Sequence, residues 1–82
     1  MKLPRDLSAN QLIKLLSALG YTKTRQTGSH IRLTTQIMGE HHLTIPNHDP
    51  IKVGTLANIL DNVAQHFGIS RDELLARLSS LE

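Results

Sequence analysis

Eighty-two residues make one domain, because a chain of this length has no room for a second hydrophobic core. Tyr21 and Phe67 are the only Phe, Tyr or Trp side chains, so the core must be aliphatic, and the absence of cysteine excludes disulfides and thiolate metal sites. The net charge is +2, but residues 1–35 carry Lys2, Arg5, Lys14, Lys23, Arg25 and Arg32 against Asp6 alone, a balance of +5, which leaves −3 for residues 36–82. A domain with one basic end suits a phosphate-bearing partner.

Read from the amino terminus, "LSANQ" opens the first helix. Ser8 as N-cap and Gln11 three residues on form a capping box, with Leu7 and Leu12 as its hydrophobic staple. Leu12, Leu15, Leu16 and Leu19 follow at helical spacing and predict one buried stripe, and Gly20 is the expected stop. Residues 21–27 and 29–35 read as two strands joined by a tight turn around Thr27-Gly28. In the second strand Ile31 and Leu33 point one way, while His30, Arg32 and Thr34 point the other. After a turn containing Gly39, "HLTIP" sets Leu43 and Ile45 on one face and His42 and Thr44 on the opposite one. Leu56, Ile59, Leu60, Val63 and Phe67 trace a second helix with Gly54-Thr55 at its start. Ser70 and Glu73 then cap a short last helix whose apolar residues are Leu74, Leu75, Leu78 and Leu81. Its run Leu74-Leu75-Ala76 is the longest apolar stretch of the chain. That is too short for a membrane span or a signal-peptide core, so the expectation is a cytoplasmic protein without a membrane partner.

The order helix, three strands, helix, helix predicts an α+β domain, a meander with one apolar face covered by amphipathic helices. The uncovered face should carry His30, Arg32 and His42, together with a set from Tyr21, Lys23 and Arg25. A histidine among cations suits general acid–base catalysis, since imidazole titrates near neutral pH and needs no metal. RNA cleavage requires removal of a 2′-hydroxyl proton and stabilisation of charge growing on phosphorus, which Lys23, Arg25 and Arg32 can supply. The competing reading of His30 is a solvated strand residue. His30, His42 and His48 offer a three-histidine zinc site only if the fold brings them together, and His41 and His42, as strand neighbours, must face opposite ways. "VAQHFGISRDELLARL" has the spacing of a helix-turn-helix, but Asp72 and Glu73 at the start of its second helix would repel DNA phosphates.

Taken together, "KLPRDLSANQLIKLLSALGY", "RQTGSH", "TIPNH" and "IKVGTLANIL" occur in an order and spacing that resembles the HicA-type (YcfA-like) mRNA interferase toxins, over residues 2–70. The resemblance implies a fold like a double-stranded-RNA-binding domain, with helices on one face of a three-stranded antiparallel sheet. It also implies a metal-independent endoribonuclease that acts on mRNA, needs no cofactor, and is held inactive by a HicB-type antitoxin. DNA would be met only indirectly, through the antitoxin complex. The histidine of the Gly-Ser-His motif is catalytic in that family and falls on His30, with Gly28 and Ser29 at the other motif positions. Lys52, Gly54, Thr55 and Leu56 match the segment that starts the second helix, Gly54 and Thr55 as structural positions. Lys23, Arg25, Ser29, Arg32 and Lys52 are the expected RNA-binding residues. The chain departs from the family where a second histidine often follows the motif, here Ile31, and where lysine often precedes Gly28, here Thr27. A non-catalytic RNA-binding module and a helix-turn-helix DNA binder are the alternative functions.

Overall fold

The computed structural model describes residues 6–79, so Lys2, Arg5 and Leu81 lie outside the described residues. The elements run α1 (Ala9–Ser17), β1 (Thr22–Thr27), β2 (His30–Thr35), β3 (His41–Pro46), α2 (Val53–Phe67) and α3 (Arg71–Ser79). This is an α+β domain: one helix, an antiparallel sheet of order β1-β2-β3, then two helices. No described helix is long and apolar enough to cross a membrane.

Each element forms for a local reason. The Ser8 hydroxyl accepts from Gln11 N at 3.1 Å, and the Gln11 side chain accepts from Ser8 N at 2.9 Å, so the capping box satisfies donors at both ends of the first turn. Leu12 and Leu16 are fully buried, while Leu15 and Leu19 flank the core partly covered. The helix ends in a Ser17–Gly20 turn that brings Tyr21 N back to Leu16 O. Gly20 adopts φ +85, and a Cβ there would lie 2.5 Å from Ile37 Cδ1 and 2.7 Å from Thr35 Oγ1. Only glycine satisfies both constraints. Gly68 closes α2 with a bond to Ala64 O, and the Ser70 hydroxyl accepts from Glu73 N to start α3.

The sheet separates the chain into two surfaces. Ile31 pairs with Ile45 and Leu33 with Leu43, and all four are buried against Leu12, Leu16, Leu56, Leu60 and Leu74. Burying such side chains is what offsets the loss of chain entropy, at about 1.5–3 kcal/mol each. The opposite surface bears His30, Arg32, His42 and Thr44, all exposed.

Two expectations are corrected here. Tyr21 is not on the open face but precedes β1 as one of the most buried side chains, 1% exposed. Its hydroxyl needs a partner inside and meets His41 Nδ1 at 2.7 Å. Lys23 does not share a face with Arg25. Lys23 pairs with Leu33 and Arg25 with Arg32, so Thr24 is an extra residue in β1 that shifts the register between them. The bulge turns Lys23 to the helix side of the edge strand.

Candidate functional site

The β1–β2 connection is a two-residue turn, Gly28-Ser29, bracketed by the pair Thr27↔His30. Gly28 carries φ +56, the conformation that the first position of a tight hairpin turn demands. Asn47 N donates to Ser29 O at 2.6 Å, tying the turn to the exit of β3. The hairpin thereby fixes His30 as the first residue of β2, opposite Pro46 on its other side.

His30 shares a shallow recess of about 190 Å³ with Arg25, Thr27, Arg32 and Thr44. Arg25 and Arg32 sit on one rung and Thr44 completes it from β3. Among the described residues, no hydrogen bond or ion pair engages the His30 ring, and neither arginine has a carboxylate within ion-pairing distance. The recess therefore offers an imidazole and two unneutralised guanidinium groups. A phosphodiester supplies the matching charge and geometry for the forks.

The other expected residues are placed differently. Ser29 lies in the turn, with its backbone carbonyl used as described, and does not line the recess. Lys23 faces away from it across the bulge. Lys52 is the exposed N-cap position of α2, apart from the arginine pair. Gly54 and Thr55 lie in the first turn of α2, and a Cβ at Gly54 would meet nothing within 4 Å, so no close approach explains the glycine. Thr27 and Thr44, which the sequence places beside the motif and on the open face without assigning them to the site, line it through strand pairing with His30 and Arg32.

His42 is on the same face, but its rung is that of Thr34, four residues along β2 from His30. At roughly 3.3 Å per residue that is about 13 Å, too far for the two rings to grip one metal or one reacting atom. Among the described residues, no group of three His, Asp or Glu side chains is placed to hold a metal ion. The possible zinc site of His30, His42 and His48 does not form.

His41 faces the helices, as its neighbour's position requires. Its ring stacks on His66 with centroids 4.4 Å apart, and His66 Nε2 meets Ile37 O at 2.9 Å. Burial first, then the nearby His66 and His42, lowers the pKa of His41, while burial pushes the Tyr21 hydroxyl up to about 12.

On the α2–α3 pair the basic side chains are engaged. Arg71 is held by Asp61 at 2.7 Å and Arg77 lies 3.6 Å from Glu73, so cations on α3 face carboxylates while Asp72 and Glu73 remain exposed.

The fold is a small α+β domain whose open sheet face carries His30 beside Arg25 and Arg32. The model of the HicA toxin of bacterial toxin-antitoxin systems matches residues 9–65, which include the entire sheet and most of α2. The chain belongs to the HicA toxin family, and membership in a toxin-antitoxin family implies an antitoxin partner. No curated protein and no solved structure matches the chain.

Proposed function

We propose that this domain is an endoribonuclease that cleaves mRNA at His30 without a metal ion and is neutralised by a HicB-type antitoxin laid over the same face. The observation that carries the reading is the recess itself, where His30 stands beside Arg25 and Arg32 and, among the described residues, no carboxylate lies within ion-pairing distance of either arginine. In the proposed reaction the neutral imidazole takes the proton of a 2′-hydroxyl, and the 2′-oxygen attacks the adjacent phosphorus. The bond from phosphorus to the 5′-oxygen breaks as that oxygen receives a proton from the imidazolium or from water. The products are a 2′,3′-cyclic phosphate and a 5′-hydroxyl, and the arginines stabilise the charge that develops on phosphorus in between.

A non-catalytic RNA-binding module is the second reading. What favours it is that, among the described residues, no second histidine or carboxylate lines the His30 recess. The two separate in one experiment: purified protein is incubated with RNA, with and without a chelator, beside His30→Ala. Cleavage by the native protein in EDTA, lost in the alanine variant while RNA binding persists, supports the nuclease. RNA that is bound but never shortened selects the second reading, and loss of cleavage in EDTA overturns the metal-free mechanism.

A further inference from the structure

The open face holds a second recess, wider than the first at about 360 Å³, and Arg25 and Arg32 line both. The bulge at Thr24 sets Thr24 and Arg25 together against Arg32, where the Thr24 hydroxyl donates to Arg32 O. The floor is a chain of hydrogen bonds: Thr24 Oγ1 lies 3.1 Å from Thr34 Oγ1, which lies 2.8 Å from His42 Nδ1. These contacts bury Thr34 although it points away from the helices. At the far rim, Gln36 Nε2 stands 3.5 Å and His42 Nε2 3.7 Å from the two oxygens of Glu40. Both distances are long and both groups are exposed, so an incoming donor can replace either.

The two ends of this recess ask for different chemistry. The arginine wall attracts an anion, whereas Glu40 at the other end repels one and accepts hydrogen bonds only. A ligand must therefore be anionic at one end and rich in N–H donors at the other. A nucleotide has that polarity. Since the arginines are also the wall of the His30 recess, a phosphate there leaves the neighbouring nucleotide's base at the Glu40 rim.

We propose that the second recess binds the nucleotide flanking the phosphodiester at His30, and that Glu40, with Gln36 beside it, makes this subsite prefer guanine. The Watson–Crick edge of guanine presents a ring N–H and an amino group in parallel, which match the two carboxylate oxygens. Adenine and cytosine offer an amino group next to an acceptor, and uracil offers a single N–H between two carbonyls, which the carboxylate repels. Unpaired bases are read in this way on their edges, with ring faces stacked on planar groups such as guanidinium. The assignment takes from the proposed function only that the substrate is RNA.

The test uses two sets of short RNAs that differ in the base flanking one permitted phosphodiester. The first carries a free 2′-hydroxyl only at the position of attack, with 2′-O-methyl sugars elsewhere, and the second is blocked at that position as well by a 2′-deoxy sugar. Cleavage rates are read on the first and binding on the second, for the native protein, Glu40→Gln and Gln36→Ala. Guanine should exceed uracil by at least about tenfold in the native protein. Glu40→Gln should reduce that ratio to within about twofold, and Gln36→Ala should narrow it less. Equal treatment of all four bases, or a ratio unmoved by Glu40→Gln, overturns the subsite even if cleavage is vigorous. A guanine preference in binding without any cleavage sustains the subsite and overturns the nuclease. No binding to either set overturns both.

Discussion

Arg25 and Arg32 stand directly across from each other on adjacent antiparallel strands, and among the described residues no carboxylate lies within ion-pairing distance of either. Like charges in that arrangement oppose sheet formation. Arg25→Thr should therefore stabilise the domain by about 0.2–1 kcal/mol in low-salt urea denaturation. The same variant should bind RNA less tightly and with a shallower salt dependence, because one fewer cation displaces counterions. Charge reversal at Arg71 or Arg77 should leave RNA affinity unchanged, since both already face carboxylates on the helices. Weaker RNA binding on reversal at Arg71, with Arg25 variants unaffected, would put the interface on the C-terminal helices instead.

Stability should fall on both sides of a neutral plateau. His41 has its pKa lowered in the fold, so as the pH drops below the ordinary value of 6.5 the unfolded chain takes up that proton first and gains on the native state. Tyr21 is displaced oppositely, from 10.0 to about 12, so above pH 10 the unfolded chain loses its proton first and gains again. Thermal midpoints measured across pH should be flat between these limits and decline outside them. His41→Gln keeps an acceptor for the Tyr21 hydroxyl but removes the titration, and should soften the acid limb. An unchanged acid limb in that variant would assign the effect to other groups.

Gly20→Ala should destabilise the domain by about 1–3 kcal/mol. The left-handed backbone strains any Cβ there, and the methyl would press on Thr35 Oγ1. That hydroxyl is fully buried, donates to Leu19 O at 3.0 Å and accepts from Ile37 N at 3.2 Å, so it has nowhere to move. Equilibrium unfolding compared with the native protein gives the value directly.

Control by a covering antitoxin makes a chemical prediction. His30 is exposed and free to react with diethyl pyrocarbonate, and its modification can be followed by peptide mapping. In the isolated toxin–antitoxin complex that rate should drop at least severalfold, and RNA should compete with the antitoxin. If His30 reacts equally fast in complex and free toxin, the partner binds elsewhere.

Where the sequence was legible, a strong local rule stood behind it. Ser8 and Gln11 announce the first helix, Leu12 and Leu16 its buried side, and the alternation of Ile31 and Leu33 with His30 and Arg32 the two faces of β2. β1 carried no such rule. "TKTRQT" is polar at every position and all six residues are exposed, so nothing in it marks the extra residue at Thr24 that separates Lys23 from Arg25. Strand alternation does not extend to Tyr21, which lies one residue before β1, where burial and the His41 bond decide its side. For the candidate site, His30, Arg25 and Arg32 do come together, whereas Ser29, Lys23 and Lys52 do not join them. Glu40 and Gln36 were invisible because they reach the face from the β2–β3 connection, where side-chain periodicity ends.

All the residues lining the two recesses fall between Thr24 and Thr44, on the side of the meander turned away from the helices. Outside the bulge at Thr24, changing one such side chain leaves its neighbours in the core untouched, because successive residues of a regular strand point to opposite surfaces. Descendants of this chain can therefore exchange the residues that meet a ligand while retaining the same interior. A rival partner that tracks one version of the surface must then be inherited alongside it or lose its grip. The two-sided sheet lets recognition change without a change of shape.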